Sequence, residues 1–155
     1  MKTSIGLDKE KAKNLTIGLN SLLANFQVYY QNLRGLHWNI KGKSFFELHL
    51  KYEEFYNDSQ IKIDLIAERI LTLGGVPMHT FEEYTKSSKV AVGKNVTKDV
   101  EGVQLVVDSL TEILLLERAI LNESAEANDE GTNAMMSDFI AEQEKTIWML
   151  NAWLK

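Results

Sequence analysis

Only one proline interrupts this 155-residue chain, at position 77. Because proline and glycine are the strongest helix breakers, a chain this poor in proline can carry very long helices, and its few breakers mark the joints. They cluster at NIKGK (39–43), at Gly74-Gly75 ahead of Pro77, and at NDEG (128–131). Between them the apolar residues recur at intervals of three and four, the period of an amphipathic helix. Leu15, Leu19, Leu22, Leu23, Phe26, Tyr29, Tyr30, Leu33 and Leu36 form such a stripe from Asp8 to Leu36. A second runs through Phe45, Leu48, Tyr52, Phe55, Ile63, Ile66, Ile70 and Leu73, and Ser44 with Glu47 three residues on predicts a capping box at its start.

Residues 76–98 lack such a stripe and contain only one short amphipathic stretch, FEEYTK, read as a turn or two of helix within a crossover. Two further helices are expected over Asp99–Ala127 (Val103, Val107, Leu110, Leu114, Leu121) and Thr132–Leu154 (Met136, Phe139, Ile147, Leu150, Leu154). Short first and last links around one long central crossover describe an all-α, ferritin-like four-helix bundle, with residues 1–155 forming one domain behind a short segment 1–7.

Composition narrows the chemistry. There is no cysteine, which removes disulfides, Cys-based zinc sites, iron–sulfur clusters and a thiol nucleophile, and suits a reducing compartment. Any metal site must use histidine and carboxylates. Seventeen Lys and Arg against twenty-two Asp and Glu give a net charge of −5, so a surface dominated by phosphate contacts is not expected. The opening MKTSIGLDKEKAK has no apolar core of a signal peptide and no apolar run is long enough to span a bilayer, which makes the cytoplasm the expected location and a membrane partner unexpected.

Function in a helical bundle must be argued from its ionisable residues. His37 closes the first helix and His49 opens the second, so the hairpin brings both imidazoles to one end. The Glu-x-x-His motif of in-chain di-iron centres is absent, because Arg34, Phe46 and Val76 stand three residues before His37, His49 and His79. On the second helix, His49, Glu53, Asp64 and Glu68 share one slowly drifting face. Glu53 and Asp64 are eleven residues apart, roughly 16 Å at 1.5 Å per residue, too far to hold one ion together. One chain therefore offers two half-sites. Antiparallel packing of two copies about a two-fold axis near Asp58 and Ser59 would complete both at once. The plainer alternative is that Asp64 and Glu68 are solvated charges, with Glu68 pairing with Arg69 or Thr72.

The stretch from His37 to Gly75, HWNIKGKSFFELHLKYEEFYNDSQIKIDLIAERILTLGG, resembles the signature of the Dps family of mini-ferritins, and IWMLNAW near the end of the chain is also similar to that family. The resemblance implies a hollow homododecamer that oxidises Fe(II), preferentially with hydrogen peroxide, and stores ferric mineral, protecting DNA from oxidative damage. It implies ferroxidase sites of two irons between two-fold partners, with His37, His49 and Glu53 from one chain and Asp64 and Glu68 from the other. Position 53 departs from the pattern, since the family's common residue there is Asp. Trp38 would lie near the iron and intercept stray oxidising equivalents, or pack at the dimer interface. Acidic three-fold pores would draw on Asp138 with Asp129 or Glu130, and mineral nucleation on Glu47 and Glu54. DNA binding, the family's other activity, is expected to be weak or absent, because Lys2, Lys9, Lys11 and Lys13 are diluted by Asp8 and Glu10. Two other functions stay open on the residues alone: a DNA-compacting protein associated with the nucleoid, and a non-enzymatic helical scaffold.

Overall fold

The computed structural model describes all residues 1–155 as five helices, α1 (Lys9–Asn39), α2 (Phe45–Thr72), α3 (Phe81–Ser87), α4 (Asp99–Glu126) and α5 (Glu130–Leu154). The expected all-α, ferritin-like arrangement is what the chain adopts. α1 and α2 form one antiparallel hairpin, α4 and α5 the other, and the hairpins meet through α1 against α4, with the long crossover and its short α3 lying over α1. Leu15, Leu19, Leu22, Phe26 and Leu33 of α1 interlock with Tyr52, Ile66 and Ile70 of α2, Ile113 and Ile120 of α4 and Met136 of α5 in one buried core. The three-and-four spacing places the core residues of α1, α2 and α5, since only that face can leave water; on α4 the buried face is centred on Ile113 and Ile120, which the expected stripe did not include, and Leu121 is only partly buried.

The boundaries follow local chemistry. Asp8 caps α1 by accepting from Lys11 N at 3.0 Å. α2 stops at Leu73, and Gly74 takes φ +89°, a left-handed conformation that glycine adopts without steric cost. The capping box expected at Ser44 and Glu47 does not form. Ser44 has φ −92° and ψ 15°, outside the extended conformation that turns a capping hydroxyl back to the helix amides, and its Oγ donates instead to Asp99 Oδ2 at 3.3 Å. That bond ties the start of α2 to the start of α4. The complete capping box lies at Thr80 and Glu83, which open α3; the Thr-x-x-Glu pattern was legible there and was not singled out.

Three asparagines of α1 hold the crossover. Asn20 donates to Val76 O and accepts from Met78 N, Asn25 accepts from Lys89 N and Val90 N, and Asn32 donates to Ala91 O and accepts from Gly93 N. A carboxamide carries both an acceptor and a donor, so each can mimic a strand neighbour for a segment that has no ladder of its own. Near the other end of the bundle, Gly102 in α4 leaves room for the Tyr52 ring, because a Cβ there would stand 2.6 Å from the Tyr52 hydroxyl.

Candidate metal centre

His37 lies in the last turns of α1 and His49 in the second turn of α2, and the short turn between the helices sets them face to face. Their rings stack with centroids 3.7 Å apart and planes 12° from parallel. His37 Nδ1 is 2.6 Å from the carbonyl oxygen of His49, and His49 Nδ1 is 2.7 Å from that of His37. A carbonyl can only accept, so each Nδ1 carries its hydrogen and donates. With Nδ1 so engaged, the Nε2 of each ring is the nitrogen left to offer a lone pair to a metal. Phe45 stacks on the second ring, 4.9 Å from His49.

Glu53 follows one turn after His49. Its Oε1 accepts from Tyr56 Oη at 3.3 Å, and the Tyr56 ring stands edge-on to His37, with centroids 5.4 Å apart at 82°. Partial burial, and then the charge of Glu53, raise the Tyr56 phenol above its usual range, so it is a neutral O–H donor at physiological pH. The Tyr56 ring also meets Tyr30 edge-on, and the Arg34 guanidinium lies over Tyr30 at 5.4 Å and over Trp38 at 5.0 Å. Sequence reasoning missed Tyr30, Arg34 and Tyr56. The helical spacing of Glu53 and Tyr56 was a signal for the last of them.

Asp64 and Glu68 sit farther along the unbroken α2, exposed to solvent. Neither of the pairings weighed for Glu68 forms. Arg69 turns to α5, where its guanidinium meets Asp129 Oδ1 at 2.5 Å and Thr132 Oγ1 at 2.9 Å, and Thr72 Oγ1 donates to the Glu68 backbone carbonyl. No three His, Asp or Glu side chains of one protomer converge to hold a metal ion. Within the chain the structure thus joins His37 to His49, links Glu53 to them through Tyr56, and leaves Asp64 and Glu68 apart.

The remaining candidates divide by exposure. Trp38 is 58% exposed under Arg34. Glu130 and Asp138 are exposed at the start and first turns of α5, whereas Asp129 is buried as the α5 N-cap and also accepts from Thr132 N and Thr132 Oγ1. Glu47 is exposed, and Glu54 pairs with Lys51 at 2.7 Å. No helix is long and apolar enough to cross a membrane.

A family model for the ferritin-like domain matches residues 18–155. The DNA protection during starvation protein of Porphyromonas gingivalis is 45% identical over 96% of this chain and 93% of its own length. The crystal structure of a Dps protein from Vibrio cholerae, described as a ferritin-like diiron-carboxylate protein, superposes with a TM-score of 0.98 at 51% identity, covering 99% of this chain and 97% of that one. A Listeria innocua Dps mutant with two histidines replaced by glycine matches with a TM-score of 0.87 at 26% identity, over 90% of this chain and 93% of that one.

Proposed function

The chain belongs to the Dps family of ferritin-like proteins, and on that premise we propose that it is a ferroxidase that stores iron, oxidising Fe(II) with hydrogen peroxide at sites shared between two-fold partners. The observation that carries this reading is the reciprocal pair of hydrogen bonds between His37 and His49, which leaves two Nε2 lone pairs free at one end of a carboxylate-bearing helix. Two imidazoles with Glu53, and with Asp64 and Glu68 of a second copy, make an N/O ligand set suited to Fe(II).

Ring geometry supports two irons per site. A metal ion bonds an imidazole nitrogen near the ring plane, and two nearly parallel planes 3.7 Å apart share no such position. His37 and His49 therefore serve separate ions. Each ferrous ion gives up one electron, the peroxide O–O bond breaks as it accepts both, and two protons complete two waters. Because the electrons leave as a pair, no hydroxyl radical need escape, which accounts for protection of DNA. The ferric product moves into the cavity of a homododecamer and mineralises there, with Glu47 and Glu54 as nucleating carboxylates.

Exposed Glu130 and Asp138 are the pore residues of this reading, and Asp129 serves the α5 start. Trp38 stands close enough to the histidine end to intercept stray oxidising equivalents. DNA binding is weak or absent, supported by a first segment whose backbone folds back on the start of α1: the backbones of Lys2 and Asp8 pair in an isolated antiparallel bridge, Thr3 N donates to Leu7 O, and Lys9 N donates to Met1 O.

Mixed shells test the shared site. A His49→Ala chain and an Asp64→Ala chain, each inactive alone, should regain activity when co-assembled, because some dimers place both lesions in one site and leave the other whole. Mixed shells no better than either parent would show that the ligands come from one chain. Iron-independent mobility shifts of DNA at physiological salt, without peroxide consumption, would favour the compaction reading.

A further inference from the structure

Glu53 differs from the other carboxylates on its face of α2 in having a dedicated donor: Tyr56, three residues on, gives its phenolic hydrogen to Oε1. The longer arm of a glutamate has more rotamers to lose on binding than an aspartate, so an unrestrained Glu53 would be a poorer ligand than the aspartate usual at this position. Tyr56 is itself held from two sides. Its ring is edge-on to His37 and edge-on to Tyr30, and Tyr30 is covered by Arg34. The phenol thus joins a ligand of α1 to a ligand of α2 by one contact each.

We propose that Tyr56 is the positioning residue for Glu53, fixing its carboxylate at the histidine end of α2 and so setting the affinity of the iron position that Glu53 completes, the weaker of the two and the second to fill. This inference rests on the shared-site reading above. The hydrogen bond occupies one lone-pair direction of Oε1 and leaves Oε2 for the ion, as donors behind metal-bound carboxylates do. No electron or proton is asked of Tyr56. Its role is geometric.

The test is a double-mutant cycle read by anaerobic calorimetric titration of Fe(II) and by peroxide-driven oxidation rate, on assembled protein of confirmed mass and melting temperature. Tyr56→Phe keeps the ring and its contacts with His37 and Tyr30 but removes the hydroxyl. It should weaken the second binding step about tenfold, the lower range for loss of a ligand's supporting hydrogen bond, and leave the first step unchanged. Glu53→Gln should weaken the same step, and adding Tyr56→Phe to it should cost nothing further, because the phenol acts only through the carboxylate. Additive losses, or a Tyr56→Phe protein with an intact second step, would overturn the proposal. His49→Ala separates this from failure of the site itself: if neither binding step is weakened by that substitution, the histidine site is wrong, whereas weakening of either step alongside a silent Tyr56→Phe condemns the Tyr56 role alone.

Discussion

His37 and His49 donate to each other's backbone carbonyls, so each fixes the tautomer of the other. Replacing either by Ala removes one proposed ligand and the ring stacked on the other, while the backbone carbonyl that holds the other's tautomer stays in place. His37→Ala and His49→Ala should each slow peroxide-driven iron oxidation by about a hundredfold, at or above the upper range for a disturbed metal-ligand network. Assembly should be unaffected, since the apolar side chains exposed along α2, and not the two imidazoles, supply the surface for it. Stopped-flow absorbance of ferric product and light scattering check the two halves separately.

Assembly itself should be visible in mass. Phe46, Leu50, Ile61 and Leu65 leave a line of apolar side chains exposed on α2 beside Glu53, Asp64 and Glu68, with exposed Trp38 of α1 near one end. A monomer rarely leaves so much apolar surface on one helix in water. Light scattering should return about twelve times the 17.7 kDa of one chain. Ile61→Glu with Leu65→Glu should break the particle into smaller species and abolish ferroxidation, although all five proposed ligand residues remain.

A third prediction concerns Glu117, fully buried in α4 with no hydrogen bond to either carboxylate oxygen. Burial pushes its carboxyl from the ordinary 4.5 up to about 8, against the opposing pull of Gln143, Lys62 and Arg118. A carboxyl raised in the folded state is favourable while protonated, so its cost is absent below pH 4.5, grows as pH rises towards 8, and then levels off. Glu117→Gln should therefore match the parent's stability near pH 4.5 and exceed it by about 4 kcal/mol at pH 8, at about 1.36 kcal/mol per pH unit. Denaturant unfolding at a series of pH values reads this directly.

The start of α5 depends on Arg69. Its guanidinium pairs with buried Asp129 and lies against Gly131, where a Cβ would stand 2.8 Å from its nitrogens. Arg69→Ala should cost about 3 kcal/mol, because it strands a buried carboxylate. Gly131→Ala should destabilise as well, by forcing the guanidinium aside. Melting curves of both variants give the order of the two effects.

What the sequence determined by itself was whatever depends on near neighbours along the chain. The three-and-four spacing of Leu15, Leu19 and Leu22, or of Ile63, Ile66 and Ile70, imposes a helix and its buried face within a few turns, and the joint at NIKGK imposed the hairpin that joins His37 to His49. The separation of Glu53 from Asp64 followed from helical rise alone. Tertiary structure decided what depends on the partners that packing brings from elsewhere in the chain. Ser44 was a good cap by pattern, yet Asp99 lies 55 positions away in sequence and took its hydroxyl. Asp129 looked like any acidic residue at a helix start, until α2 delivered Arg69 against it. The tautomers of the two histidines, the placing of the Tyr56 ring against His37, and the isolation of Glu117 were equally unreadable. A hydrogen bond or a desolvated charge is set by distances of a few ångströms between elements, and periodicity within one element carries no information about those distances.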